Sequence, residues 1–160
     1  MTMARIAERY RIETGDGRST ENLVAAGHYG YVHSCVTSEN FPARHRGGPR
    51  GRVITLLEFD RHVTAEDVLR EAAARGLARP TYEDALYFGI EHPDVQREGP
   101  VVFLHEPWFG YFGRWDVLCL WYNAGRRELG LEGFDDGWDR GYRFAFVAPT
   151  AGLTSGPGPR

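Results

Sequence analysis

The segment 105–116, HEPWFGYFGRWD, and the turn near residue 135 carry the side chains best suited to acid–base or metal chemistry. His105 and Glu106 are an imidazole and a carboxyl, which are common proton donors and acceptors in enzymes. They are adjacent, however, and neighbours on a strand point to opposite faces. Asp135 and Asp136 could bind a cation or exchange protons, but Asp-Asp-Gly also favours a turn. An enzyme with these four residues as catalytic candidates is therefore an alternative hypothesis.

Aromatic and arginine side chains dominate the same part of the chain, and this mixture is typical of recognition surfaces. Aromatic rings offer a large contact area, and an arginine stacks on rings or pairs with an anion. We therefore predict a ligand-binding surface in this part of the chain. Its predicted contact residues are Trp108, Tyr111, Arg114, Trp115, Trp138 and Arg140. Single aromatic residues could instead fill the core, and Arg114 is the first candidate for an anionic group.

The composition excludes several kinds of chemistry. All 19 residues counted as Lys or Arg are Arg, in a chain of 160 residues. A phosphate-binding P-loop and a lysine Schiff base are therefore impossible. Cys35 and Cys119 lie far apart and neither belongs to a CxxC pair, so no structural zinc is predicted. We predict no metal and no cofactor.

Charge and hydropathy limit the partners and the compartment. The net charge is -3 and the isoelectric point is about 6.1, which argues against nucleic-acid binding. No apolar run approaches the roughly 20 residues that span a bilayer, and the first residues do not form a signal peptide. We therefore predict a cytoplasmic protein, without a membrane partner, that binds a small molecule or a protein.

The apolar pattern predicts an α+β fold with a mainly antiparallel sheet and long loops. Thr64 and Thr81 each precede an aspartate three positions later, which predicts two adjacent capped helices that pack together on the sheet. Strands are predicted at 53–59, 101–104, 117–122, 128–134 and 142–147. We divide the chain into a polar N-terminal segment (1–18), one globular domain (19–147) and a disordered tail (148–160).

Two short segments carry a resemblance. Arg79-Pro80-Thr81 before an acidic helix, and Gly141-Tyr142-Arg143-Phe144-Ala145 after a Trp-rich stretch, resemble C-type-lectin-like proteins of the sulfatase-modifying-factor branch. The segment 27–41 and the ending FDDGWDRGYRFAFV are similar to a family of small, uncharacterised bacterial proteins. The lectin-like resemblance implies that the first and last strands, 53–59 and 142–147 here, pair and close the domain. It also implies that long loops, here 105–116 and 133–140, present a binding surface.

These observations favour a non-catalytic binding module. It would present its aromatic and arginine loop surface to a small ligand or a protein partner. An enzyme with an acid–base or metal site at the same surface is the first alternative. An accessory component of a bacterial or phage-derived assembly is the second, and it assigns no residues.

Overall fold

One mixed sheet of eight strands organises the computed structural model, which describes residues 4–44, 47–110 and 112–149. The elements are β1 (Ala4–Thr14), α1 (Thr20–Ala26), β2 (Tyr31–Val32), β3 (Arg50–Phe59), α2 (Ala65–Ala74), α3 (Tyr82–Glu91), β4 (Val101–Phe103), β5 (Trp108–Phe109), β6 (Trp115–Asn123), β7 (Arg126–Gly133) and β8 (Arg143–Val147). A short 3-10 helix, Val95–Glu98, joins α3 to β4. The predicted α+β class is confirmed. Residues 150–160 of the predicted tail lie outside the described residues.

The strands are ordered β1-β3-β8-β4-β6-β7-β2, with β5 paired to β6. Most neighbours are antiparallel, and the parallel pairs are β4–β8 and β2–β7. The predicted pairing of 53–59 with 142–147 is confirmed, because β3 and β8 pair from Ile54↔Val147 to Glu58↔Arg143. Two neighbouring strands inside the sheet are therefore distant in sequence.

The polar N-terminal segment contains a strand that the sequence pattern did not predict. β1 pairs antiparallel with β3 from Ala4↔Phe59 to Thr14↔Arg50, with a bulge between Ile6 and Glu8. Most of the charged side chains of β1 are exposed at the edge of the sheet. The sequence of this strand therefore lacks the apolar pattern by which a strand is recognised. The first strand is thus β1, and it does not pair with the last strand because β3 lies between them.

The helices cover both faces of the sheet. The apolar residues of α1 and α3 share one core cluster with Val101 and Phe103 of β4. Those of α2 share the other cluster with Val102 and Leu104. Alternate side chains of a strand point to opposite faces, so α2 and α3 lie on opposite faces. The prediction that these helices pack together is wrong, because each helix packs against a different apolar face of the sheet.

The predicted starts of α2 and α3 are confirmed as capping boxes. The hydroxyl of Thr64 accepts the N–H of Asp67, and that of Thr81 accepts the N–H of Asp84, each at 3.1 Å. The carboxylate of Asp84 also accepts two hydrogen bonds from Arg52 of β3, at 2.7 and 2.8 Å. Asp84 therefore both caps the start of α3 and attaches this helix to the sheet.

The connection between α2 and α3 crosses from one face of the sheet to the other. It passes the end of β4, where Ala78 forms a β-bridge with Val147 of β8. The guanidinium of Arg79 donates to the carbonyls of Leu104 and His105, at 3.0 and 2.9 Å, and to the carboxylate of Glu106 at 3.0 Å. Arg79 therefore sets the point at which the chain leaves β4 and enters the aromatic segment 105–116.

We expect Arg79→Ala to lower the free energy of unfolding by about 2 kcal/mol, because the carbonyls at the end of β4 lose charged hydrogen-bond donors. Urea unfolding measures this as a lower midpoint with an unchanged slope. The matched control is Arg70→Ala on α2. The Arg70 side chain is 73% exposed with one 3.4 Å ion pair, so we expect a change within about 0.5 kcal/mol. Equal effects of the two substitutions would contradict the role of Arg79.

Candidate functional site

The hairpin of β5 and β6 divides the predicted aromatic surface into two faces. Trp108 pairs with Asp116, and Phe109 pairs with Trp115. Because residues directly opposite each other lie on the same face of a sheet, Trp108 and Asp116 face one side. Phe109 and Trp115 face the other side, where their rings lie 4.8 Å apart. The predicted contact residues of this hairpin therefore do not form one surface.

A groove lies on the Trp108 side of the hairpin. Its first part is a cavity of about 330 Å³ lined by His33, Cys35, Trp108, Phe112, Arg114, Asp116 and Leu131. Its second part is a cavity of about 370 Å³ lined by His33, Ser34, Cys35, Thr37, Glu39, Asn40 and Phe112. The shared lining residues His33, Cys35 and Phe112 make these two parts of one groove, which we call the Trp108 groove. Its size is that of a site for a small organic molecule.

The wall opposite the hairpin comes from the chain that follows β2. The N–H of His33 donates to the carbonyl of Leu129 in β7 at 2.9 Å, which ties this wall to the sheet. The amide of Asn40 donates to the carbonyl of Cys35 at 2.9 Å and closes the loop on itself. Phe41 is buried, and its ring lies 5.2 Å from that of Trp108. Both walls of the groove are therefore anchored in the same core cluster.

Arg114 is held by carboxylates of its own chain. Its Nε lies 2.8 Å from Oδ1 of Asp116, and its Nη1 lies 3.7 Å from Oδ2 of Asp136. Burial raises the pKa of Asp116, although the charge of Arg114 opposes this shift. Arg114 lines one of the two cavities, as we expect of a predicted contact residue. Its charge is already balanced there, however, which weakens the expectation that it holds an anionic group.

His33 is a second polar group in the groove. Its Nδ1 accepts the backbone N–H of Cys35 at 3.1 Å. In the neutral ring the proton must therefore be on Nε2, which can donate to another group. His33 and Asp116 could not be recognised as site residues from the sequence, because nothing in their local spacing indicates that they line one groove.

The predicted acid–base residues do not meet at the groove. His105 is buried, its Nδ1–H donates to the carbonyl of Glu106 at 2.7 Å, and its Nε2 accepts the N–H of Leu118 at 3.0 Å. Burial lowers its pKa to about 4. The exposed carboxylate of Glu106 pairs with Arg79. His105 is therefore a structural residue of the core, with both ring nitrogens occupied.

Asp135 and Asp136 lie in an exposed turn, in agreement with the turn interpretation of Asp-Asp-Gly. The N–H of Asp136 donates to the carbonyl of Gly133 at 3.2 Å, and Gly137 has a φ of 78°. Within residues 4–44, 47–110 and 112–149, no group of three or more His, Cys, Asp or Glu side chains could hold a metal ion.

The other predicted contact residues are dispersed. Trp138 is only 2% exposed and its ring packs 5.4 Å from Phe144, so its assignment to an open surface is corrected to a core position. Trp115 is exposed on the far face of the hairpin, and Arg140 is exposed but does not line the Trp108 groove. Tyr111 lies outside the described residues.

Comparisons with protein-family models, curated proteins and solved structures give no match. The C-type-lectin-like resemblance therefore stays a prediction. None of the helices in the described part of the chain is long and apolar enough to cross a membrane.

His105 makes a testable contribution to acid stability. Burial lowers its pKa from 6.5 to about 4, so between these values the unfolded chain binds a proton that the folded protein excludes. The free energy of unfolding should therefore fall by about 2 kcal/mol from pH 7 to pH 5 through this residue. His105→Gln keeps a donor and an acceptor but cannot ionise, so urea unfolding of this variant should lack that contribution. The same decrease in variant and wild type would contradict it.

Proposed function

We propose that the protein is a binding module that holds a small organic molecule in the Trp108 groove. The observation that carries this proposal is that the groove combines aromatic walls with convergent polar groups. Trp108 and Phe112 supply the apolar area, while His33 and Asp116 supply polar atoms that can orient a ligand. Small-molecule sites in proteins commonly have this composition.

The two aromatic walls support the proposal in different ways. Trp108 is partly buried and packs against the core cluster, so it presents a ring that is already ordered before a ligand arrives. Phe112 is 81% exposed. A ligand seated between them would remove apolar surface of Phe112 from water, which contributes favourably to binding.

A protein partner is the second candidate, and one observation favours it. Phe109 and Trp115 are 53% and 47% exposed on the opposite side of the hairpin, with their rings in contact. Exposed aromatic residues are typical of protein interfaces. Because this pair lies away from the groove, substitutions separate the two candidate functions.

We expect Phe112→Ala to weaken binding of 2-phenylethanol, used as a neutral aromatic probe, by about three- to tenfold, because one wall of the groove is lost. The matched control is Phe109→Ala, on the other face of the hairpin, which should leave the affinity unchanged. Backbone amide shifts of the full chain, followed by NMR during titration, give both affinities and should change most near Cys35 and Leu131. Equal losses in both variants, or no binding to the wild type, would contradict the proposal.

A further inference from the structure

We propose that the outer edge of β7 binds an extended peptide as an additional strand, with an apolar side chain of the peptide entering the Trp108 groove beside Leu131. This inference rests on the proposed function, because it makes the ligand of the groove a side chain of a peptide. It also gives a use to a second cavity, on the opposite face of the sheet.

The outer edge of β7 is only partly covered by β2. β2 pairs with Glu128 and Leu129, and the chain that follows it makes one more bond, from the N–H of His33 to the carbonyl of Leu129. Every second residue of a strand directs its N–H and C=O to the same edge, so those of Leu131 also face outward. In the part of the chain that the structure describes, no backbone group pairs with Leu131 on this side. Leu131 therefore offers one donor and one acceptor to a further strand.

Two cavities on opposite faces of the sheet meet at this edge. The first is the Trp108 groove, on the face that carries the α3 core cluster. The second, which we call the Trp121 cavity, lies on the other face, where Trp121 packs against the α2 cluster. It measures about 380 Å³ and is lined by Tyr31, His33, Trp121, Asn123, Glu128, Gly130 and Leu131. His33 and Leu131 line both cavities, so the cavities adjoin where β2 ends.

The alternation of side chains along an added strand matches this arrangement. A residue opposite Leu131 points to the same face as Leu131, toward the Trp108 groove. The residues before and after it point to the other face, toward the Trp121 cavity. Gly130 leaves room for them, because a Cβ built there meets no atom within 4 Å. The edge therefore fits an extended peptide with an apolar residue opposite Leu131.

The charges beside the edge restrict the peptide further. Glu39 and Asp116 line the Trp108 groove, and Glu128 lines the Trp121 cavity. Arg114 lines the groove as well, but its charge is balanced by Asp116 and Asp136. Carboxylates of the peptide would meet like charges on both faces. The partner is therefore an extended segment without acidic residues.

The test uses the full chain and the peptide acetyl-Ser-Thr-Phe-Thr-Ser-amide, whose Phe would lie opposite Leu131. Two derivatives carry an N-methyl group, one on the Phe and one on the Thr that follows it. Only every second N–H of an added strand points to its neighbour. One derivative should therefore bind at least tenfold more weakly than the parent peptide in NMR titrations, and the other should bind as tightly as the parent. Hydrogen exchange of the Leu131 amide should slow when the parent peptide is bound.

Gly130→Leu should weaken peptide binding at least fivefold, because its side chain fills the Trp121 cavity, and should leave the affinity for 2-phenylethanol unchanged. The matched control Arg70→Leu adds a leucine to the exposed surface of α2 and should change neither affinity. Replacing both Thr residues of the peptide with Glu should weaken binding more than replacing them with Gln. If Gly130→Leu does not fold, the two N-methyl derivatives decide the matter on the wild type.

Equal affinities of the two N-methyl derivatives, or an unchanged exchange rate at Leu131, would overturn strand addition while binding in the groove stands. Full peptide affinity in Gly130→Leu has the same consequence, as does a wild type that binds 2-phenylethanol but not the peptide. Equal effects of Glu and Gln in the peptide would overturn the charge restriction. If neither ligand binds the wild type, both this inference and the proposed function are wrong.

Discussion

The rest of the structure depends on the burial of both faces of the central sheet. Strands β3, β4, β6 and β8 place apolar side chains in both core clusters, so each face must be covered. With α2 on one face and α3 on the other, the short connection between them has to cross the sheet. Arg79 completes that crossing with hydrogen bonds to the end of β4. The aromatic hairpin therefore begins from a fixed point, and a loop attached to a rigid scaffold is where binding sites commonly occur.

The hairpin of β5 and β6 presents two different surfaces, one on each of its faces. Because strand residues alternate, Trp108 and Asp116 face the groove, whereas Phe109 and Trp115 face away from it. Arg114 belongs to the groove but is held by Asp116 and Asp136. The charge of Arg114 is thus balanced by two carboxylates of the same chain.

The local elements were largely predictable. The starts of α2 and α3 are encoded by a threonine and an aspartate three positions later, and both capping boxes form. The apolar strands around 53–59 and 142–147 were also recognisable, because buried central strands have continuous apolar sequences. β1 was not, since an edge strand can carry charge along most of its length. Trp138 was misplaced because sequence cannot tell a core aromatic residue from a surface one.

By itself, the sequence determined the absence of lysine chemistry, the α+β class, the capped helices and the concentration of aromatic residues after β4. These properties depend on residue type and on spacing within one element. Only the tertiary structure decided that His33 from the chain after β2, Trp108 of β5 and Asp116 of β6 line one groove. It also decided that both nitrogens of His105 are occupied in the core. The reason is physical: the pairing of distant strands and the competition among buried polar groups for partners depend on contacts that no local pattern encodes.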